Sequence, residues 1–168
     1  MKICVIGGAG YVGLITGLGL AEIRHIVTNI DVDSDRIARL QNGESPIFEA
    51  GLETAVKVSL ATGRLSFSTN LPAAILASEI IFIAVGTPSR ENGEVDLSQV
   101  VQVAQEIAQH IDAYMVVVIK STVPVGTAEL VQSIWVRRSG KAKTSILWLT
   151  LSFSWKAGGY RTFISLTA

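Results

Sequence analysis

The sequence predicts an α/β fold, a doubly wound parallel sheet that stops after about five or six strands. Three observations carry the prediction. Short apolar, β-branched runs alternate with helix-patterned stretches over residues 1–134. The first of these runs, Ile3 to Ile6, empties through a glycine-rich turn straight into a helical stretch. The later runs end in glycine or small polar residues, and in parallel sheets of this kind ligands sit beyond the carboxyl ends of the strands.

The first element is the most informative. Ile3 to Ile6 is unbroken and apolar, as expected of a strand buried on both faces. Gly8, Gly10 and Gly13 then follow with G-x-G-x-x-G spacing, and Leu14 to Ile23 has helical character. Strand, glycine turn and helix in this order form a dinucleotide-binding fingerprint of the Rossmann type. Gly8 is expected to permit the tight turn, Gly10 to admit a pyrophosphate against the backbone, and Gly13 to let helix and strand pack closely. The helix N-terminus would offer free N–H groups and a positive dipole end to the phosphates.

The second strand is predicted over His25 to Asp31, with Asp31 placed 18 residues beyond Gly13. That is near the spacing of ~20 at which an acid meets the adenine ribose hydroxyls, and an acid there disfavours a 2′-phosphate. NAD is therefore expected over NADP. Asp33 is expected to cap a helix over Ser34 to Leu40, stopped by Asn42-Gly43. A loop over Glu44 to Gly51 leads to a helix over Leu52 to Thr62, closed by Gly63. Leu65 to Ser68 is a short strand, and Asn70 caps a helix over Leu71 to Ala77. Glu79 to Val85 is a buried strand ending in Gly86-Thr87-Pro88. After a polar loop to Val95, Asp96 and Gln99 suggest a capping box opening a helix over Leu97 to His110. Tyr114 to Ile119 is the fifth strand, running into Lys120-Ser121-Thr122, and a helix extends to about Ile134.

At 168 residues the chain is long enough for one domain with a sizeable core. Fourteen basic and fourteen acidic residues balance, which gives no footprint for nucleic acid. No apolar run reaches the ~18 residues of a membrane span. With Met1-Lys2 leading directly into a strand, no signal peptide is expected, and the expected setting is cytoplasmic. Cys4 is the single cysteine, so no disulfide within the chain and no cysteine metal site is expected, and Cys4 reads as core filler. His25 and His110 read as ordinary surface or strand-edge histidines.

The stretches GAGYVG (Gly8 to Gly13), AEIRHIV with DVD (Ala21 to Val27, Asp31 to Asp33), ESPIFEAGLE (Glu44 to Glu53), AVGTP (Ala84 to Pro88) and KSTVPVGTA (Lys120 to Ala128) together resemble the nucleotide-sugar 6-dehydrogenases. The resemblance covers residues 1 to about 134. It implies a family that oxidises the primary alcohol of UDP-glucose, or a related nucleotide sugar, to a carboxylate by two NAD-dependent hydride transfers through a cysteine thioester. By that resemblance Gly8, Gly10, Tyr11, Val12 and Gly13 would hold the pyrophosphate and Asp31 the ribose. Arg36 stands near the adenosine end, where the family usually has lysine. Thr87 would meet the other half of the cofactor, and Thr122 would sit near the nicotinamide and the reacting centre as the one catalytic candidate. An alternative for Thr122 is a capping role ahead of Pro124.

Two departures are local: Arg24 stands where the family prefers glycine, and Ala50 replaces a usual proline. The larger one is the tail. Ser145 to Trp155, SILWLTLSFSW, matches nothing in the family and stands where its sixth strand and Asn-Pro-Glu-Phe-Leu loop are expected. Synonymous codons for Ser145 to Ser154, taken as starting at the second base of family codons, regroup to F-D-I-V-A-N-P-E-F-L. The expectation is a reading-frame displacement between about Ile134 and Ser145, the alternative being a divergent natural C-terminus. The displacement gives a truncated chain that lacks the catalytic half and the family's homodimer helix and is inactive alone. Two alternatives stay open here: an extended short-chain nucleotide-sugar epimerase or reductase, and a non-catalytic NAD-binding module. The former needs Tyr-x-x-x-Lys, whereas Tyr114 is six residues before Lys120.

Overall fold

A computed structural model describes residues 1–111, 114–139 and 144–147. Twelve elements are formed: β1 (Lys2–Ile6), α1 (Tyr11–Glu22), β2 (Ile26–Ile30), α2 (Ser34–Gln41), α3 (Leu52–Ala61), β3 (Leu65–Ser68), α4 (Leu71–Leu76), β4 (Ile80–Ile83), α5 (Ser98–His110), β5 (Met115–Ile119), α6 (Thr127–Ser139) and β6 (Thr144–Leu147). The six strands make one sheet in the order β3-β2-β1-β4-β5-β6. Every strand pair is parallel, with registers such as Cys4 against Thr28 on one side and against Ile81 on the other. The order reverses between β1 and β4, which makes that seam the topological switch point.

Alternation along β1 divides the core in two. Ile3 and Val5 face Leu14, Ile15 and Leu18 of α1, with Ile37, Leu40, Leu52 and Val56 of α2 and α3. Cys4 and Ile6 face the opposite side, with Ile75 of α4, Val100 and Ile107 of α5, and Val131 and Trp135 of α6. Both faces of the sheet are therefore covered, as the apolar strands demand. Trp135 also donates its indole N–H to the Ala104 carbonyl at 2.8 Å, tying α6 to α5. Cys4 is fully buried, and burial pushes its thiol up to about 12.

Differences from the sequence expectation are small and local. Helix α1 begins at Tyr11, inside the fingerprint, because Gly10 takes an extended conformation (φ −76°, ψ 164°) and serves as N-cap. Asp33 and Asn70 cap α2 and α4 as expected. Asp96 does not cap α5. The N-cap is Leu97, while Asp96 accepts the Ser98 N–H and pairs with Arg90 at 3.0 Å across the turn closed by the Ser89–Val95 bridge. Arg24 adopts φ 73°, the left-handed conformation expected where glycine is preferred. Helix α6 runs past Ile134 to Ser139, and Thr144–Leu147 of the tail pairs beside β5. Residues 148–168 of the tail, where most of the displaced frame would lie, fall outside the described residues.

Candidate functional site

The β1–α1 turn is held from below by β2. Gly7 and Gly8 both donate N–H groups to the Ile30 carbonyl, at 2.9 and 2.8 Å. Gly7, at φ +81°, takes the left-handed position in the turn. At Gly8 the requirement is space: a Cβ there would stand 2.6 Å from the Asn29 Cβ. At Gly13 a Cβ would come within 2.1 Å of the Gly7 carbonyl oxygen, so the close helix–strand approach expected of Gly13 is present. Gly10 is different. Its Cβ would meet only the Gly7 oxygen, at 3.4 Å, so the protein itself barely restricts that position.

No side chain caps α1. Its first-turn N–H groups, at Val12 and Gly13 for example, have no intrahelical acceptor and present a positive dipole end beyond the strands. Asp31 lies beside this turn. Its Oδ2 accepts the Ala9 N–H at 3.0 Å and its Oδ1 the Asp33 N–H at 3.2 Å, which fixes the carboxylate plane. Arg36 is not drawn to Asp31. It folds against Asp33, with Nε 3.2 Å from Oδ2 and the side chain 55% exposed.

On the far side of the switch point, β4 and β5 deliver Thr87 and Thr122. The Thr87 hydroxyl donates to the Thr122 carbonyl at 2.9 Å, and the buried Ser121 hydroxyl donates to the Val85 carbonyl at 2.7 Å. The two loops are thus stitched together twice. Lys120, at the root of the second loop, is held below its ordinary lysine value by partial burial. The two halves approach one another at Gly7, where an added Cβ would stand 2.5 Å from the Ala84 carbonyl oxygen.

Two participants escaped the sequence reading as site residues, Asn29 and Glu49, while Ser121 was expected only to lie with Thr122 beyond the strand ends. Asn29 is fully buried in β2, and an amide side chain inside a strand of mostly β-branched residues was its available signal. Glu49 accepts the Tyr11 hydroxyl at 3.1 Å, bringing the loop after α2 against the glycine turn. Burial first, then this hydrogen bond and the Glu49 charge, raise the Tyr11 phenol to about 12. Nothing in local sequence joins residues 38 positions apart.

The residues fit a dinucleotide. The turn has a cradle at Gly10 that a Cβ would fill, uncapped helix amides for a pyrophosphate, and an oriented carboxylate at ribose distance from them in sequence. Comparison with known proteins agrees. The profile of the UDP-glucose/GDP-mannose dehydrogenase family, NAD binding domain, matches residues 1–152. The chain belongs to this family. Its cofactor is NAD, and the short-chain epimerase alternative falls away.

Among curated proteins, UDP-glucose 6-dehydrogenase YwqF of Bacillus subtilis is 48% identical over 134 residues, covering 80% of this chain and 30% of the relative. UDP-glucose 6-dehydrogenase of Rhizobium meliloti is 50% identical over 135 residues, covering 80% of this chain and 31% of the relative. Among solved structures, a ternary complex of GDP-mannose dehydrogenase from Pseudomonas aeruginosa superposes with a TM-score of 0.82 at 37% identity, over 87% of this chain and 35% of that one. A UDP-glucose dehydrogenase from Pyrobaculum islandicum gives 0.82 at 38% identity, over 88% of this chain and 35% of that one. The chain thus spans about 30% of the length of the curated relatives it matches. Among the described residues, no helix is long and apolar enough to cross a membrane.

Proposed function

We propose that this chain supplies the cofactor-binding part of a cytoplasmic nucleotide-sugar 6-dehydrogenase acting on UDP-glucose or a close relative. The observation that carries this reading is the convergence of the glycine turn, Asp31 and the Thr87–Thr122 pair at the carboxyl ends of β1, β2, β4 and β5. Gly8, Gly10, Tyr11, Val12 and Gly13 would receive the pyrophosphate on backbone N–H groups, and Asp31 the adenine ribose. Arg36 would border the adenosine end, with Asp33 limiting its reach. Thr87 and Thr122 would line the nicotinamide end, where Thr122 can orient a hydroxyl or a water at the reacting carbon. NAD, when bound, supplies the hydride acceptor.

The thioester step that the family resemblance implies needs a thiolate. Cys4 is the chain's only cysteine, and it is sealed in β1 with its thiol pushed up to about 12. The chain by itself therefore binds NAD(H) without oxidising nucleotide sugar. Incubation with UDP-glucose and NAD, followed by NADH absorbance, should show no sustained turnover, while calorimetry shows NAD binding. Turnover by contaminant-free protein would refute the assignment of this part alone. The displaced-frame origin of residues 135–168 belongs to the same reading, and the coding DNA tests it. Codons incompatible with F-D-I-V-A-N-P-E-F-L in the shifted frame would refute it.

A further inference from the structure

We infer that Asn29 is a positioning residue for the pyrophosphate-binding turn, acting with Asp31 to clamp a single peptide unit, that between Gly8 and Ala9. The inference rests on the dinucleotide site described above. The carbonyl of this peptide accepts from Asn29 Nδ2 at 2.9 Å, and its N–H donates to Asp31 Oδ2 at 3.0 Å. Both partners belong to the end of β2, two residues apart, so one strand grips both ends of one amide plane.

The peptide-plane orientation of this turn decides what a ligand meets. With the Gly8 carbonyl turned down onto Asn29, carbonyl oxygen is kept away from the surface where the anion would lie. A rotated peptide would present a partial negative charge to a phosphate. The same side chain reaches toward the Gly13 carbonyl at a longer 3.5 Å, so it also touches the first turn of α1.

Asn29 is there at a cost to the fold. It is fully buried, and among the described residues its Oδ1 has no hydrogen-bond partner. Two glycines make room for it: a Cβ at Gly17 would stand 2.0 Å from Oδ1, and one at Gly8 would stand 2.6 Å from its Cβ. An apolar residue of similar size would remove the orphaned oxygen, but it would leave the Gly8 carbonyl without its 2.9 Å donor. A side chain that is unfavourable for packing but well bonded to the ligand-facing turn is accounted for by positioning.

The test separates the turn from the fold. Asn29→Val removes the donor and the orphaned oxygen together, and Asn29→Ala serves if valine overpacks. ADP-ribose, which carries the pyrophosphate, is titrated by calorimetry, and adenosine, which lacks it, by NMR shifts. One unpaired buried oxygen is exchanged for another, so the expected result is a melting temperature within a few degrees of the parent's, ADP-ribose binding weakened about tenfold, and adenosine binding within about twofold of the parent. Unchanged ADP-ribose affinity in a folded variant would overturn the inference. So would equal weakening of both ligands with a lowered melting temperature, the mark of a purely structural role. Failure of the unsubstituted chain to bind ADP-ribose would instead bring down the site reading, and this inference with it. In the unsubstituted chain, the Asn29 side-chain amide protons should exchange slowly and shift with ADP-ribose but not with adenosine. Fast exchange would refute the clamp even if neither variant folds.

Discussion

The Thr87 hydroxyl donates to the Thr122 carbonyl at 2.9 Å, joining the loops that leave two adjacent strands. On the proposed reading, Thr87 would shape the nicotinamide end through its partner's backbone as much as through any contact of its own. Thr87→Val keeps the side-chain volume and deletes the donor. It should cost about 1 kcal/mol of stability and weaken NADH binding while leaving ADP-ribose binding intact. Parallel calorimetry with the two ligands checks this; equal losses for both would place the effect elsewhere.

Asp31 spends one lone pair of each carboxylate oxygen on backbone N–H groups, at 3.0 and 3.2 Å, and retains others for a vicinal diol. Asp31→Asn should weaken NAD by about tenfold, the loss of a charge-assisted hydrogen bond. It should also narrow the preference over NADP, because the charge repelling a 2′-phosphate is gone. Calorimetric titration with both cofactors reads the ratio directly, and a preference as wide as the parent's would contradict the assignment.

Gly10 and Gly13 occupy the same motif for different reasons. Gly13→Ala would drive a Cβ to 2.1 Å from a backbone oxygen and should destabilise the domain by about 3 kcal/mol. Gly10→Ala meets its nearest atom at 3.4 Å from an ordinary φ of −76°, so stability should stay within about 1 kcal/mol. Its NAD affinity should nonetheless fall, since the methyl stands where the pyrophosphate approaches. Chemical denaturation beside calorimetry distinguishes the two.

Tyr11 gives a signature in alkali. Its phenol titrates near 10.0 in the open chain and about 12 in the fold, chiefly through burial and then through Glu49. The folded state thus holds this proton where the unfolded chain has released it. The stabilisation is fully present below pH 10 and drains away as pH rises toward 12. Tyr11→Phe should flatten the fall in stability over that window and remove a component near 12 from the phenolate absorbance titration.

Sheet, helices and most caps were legible because their causes are local: apolar runs, Asp33 and Asn70 ahead of helices, glycine after them. The meeting of the glycine turn with Asp31 was legible as well, since the two sit at a spacing set by one strand–helix–strand unit. What sequence concealed was every tie between segments. Glu49 meets Tyr11 across 38 positions, and Ser121 reaches Val85 across 36. Asp96 sits one residue before the N-cap position yet still accepts the Ser98 N–H, and the same oxygen also takes Arg90, a partner across the turn that local pattern did not show.

Lys2 and Glu79 lie 77 residues apart, yet the Lys2 N–H donates to the Glu79 carboxylate at 2.7 Å and the Glu79 N–H donates to the Lys2 carbonyl at 2.9 Å. This doubly bonded pair sits at the entrance to the β1–β4 seam, on which the whole crevice depends. Closing a loop of that length has an entropic cost of about 4 kcal/mol plus a constant before any cross-seam contact is made. The first mononucleotide half can therefore organise early, from contacts close in sequence, while the nicotinamide side waits for the second half to dock. On a ribosome, the crevice would come into being only after Thr122 had emerged. Cofactor added to arrested nascent chains should bind abruptly at that length and not in proportion to the sequence already synthesised.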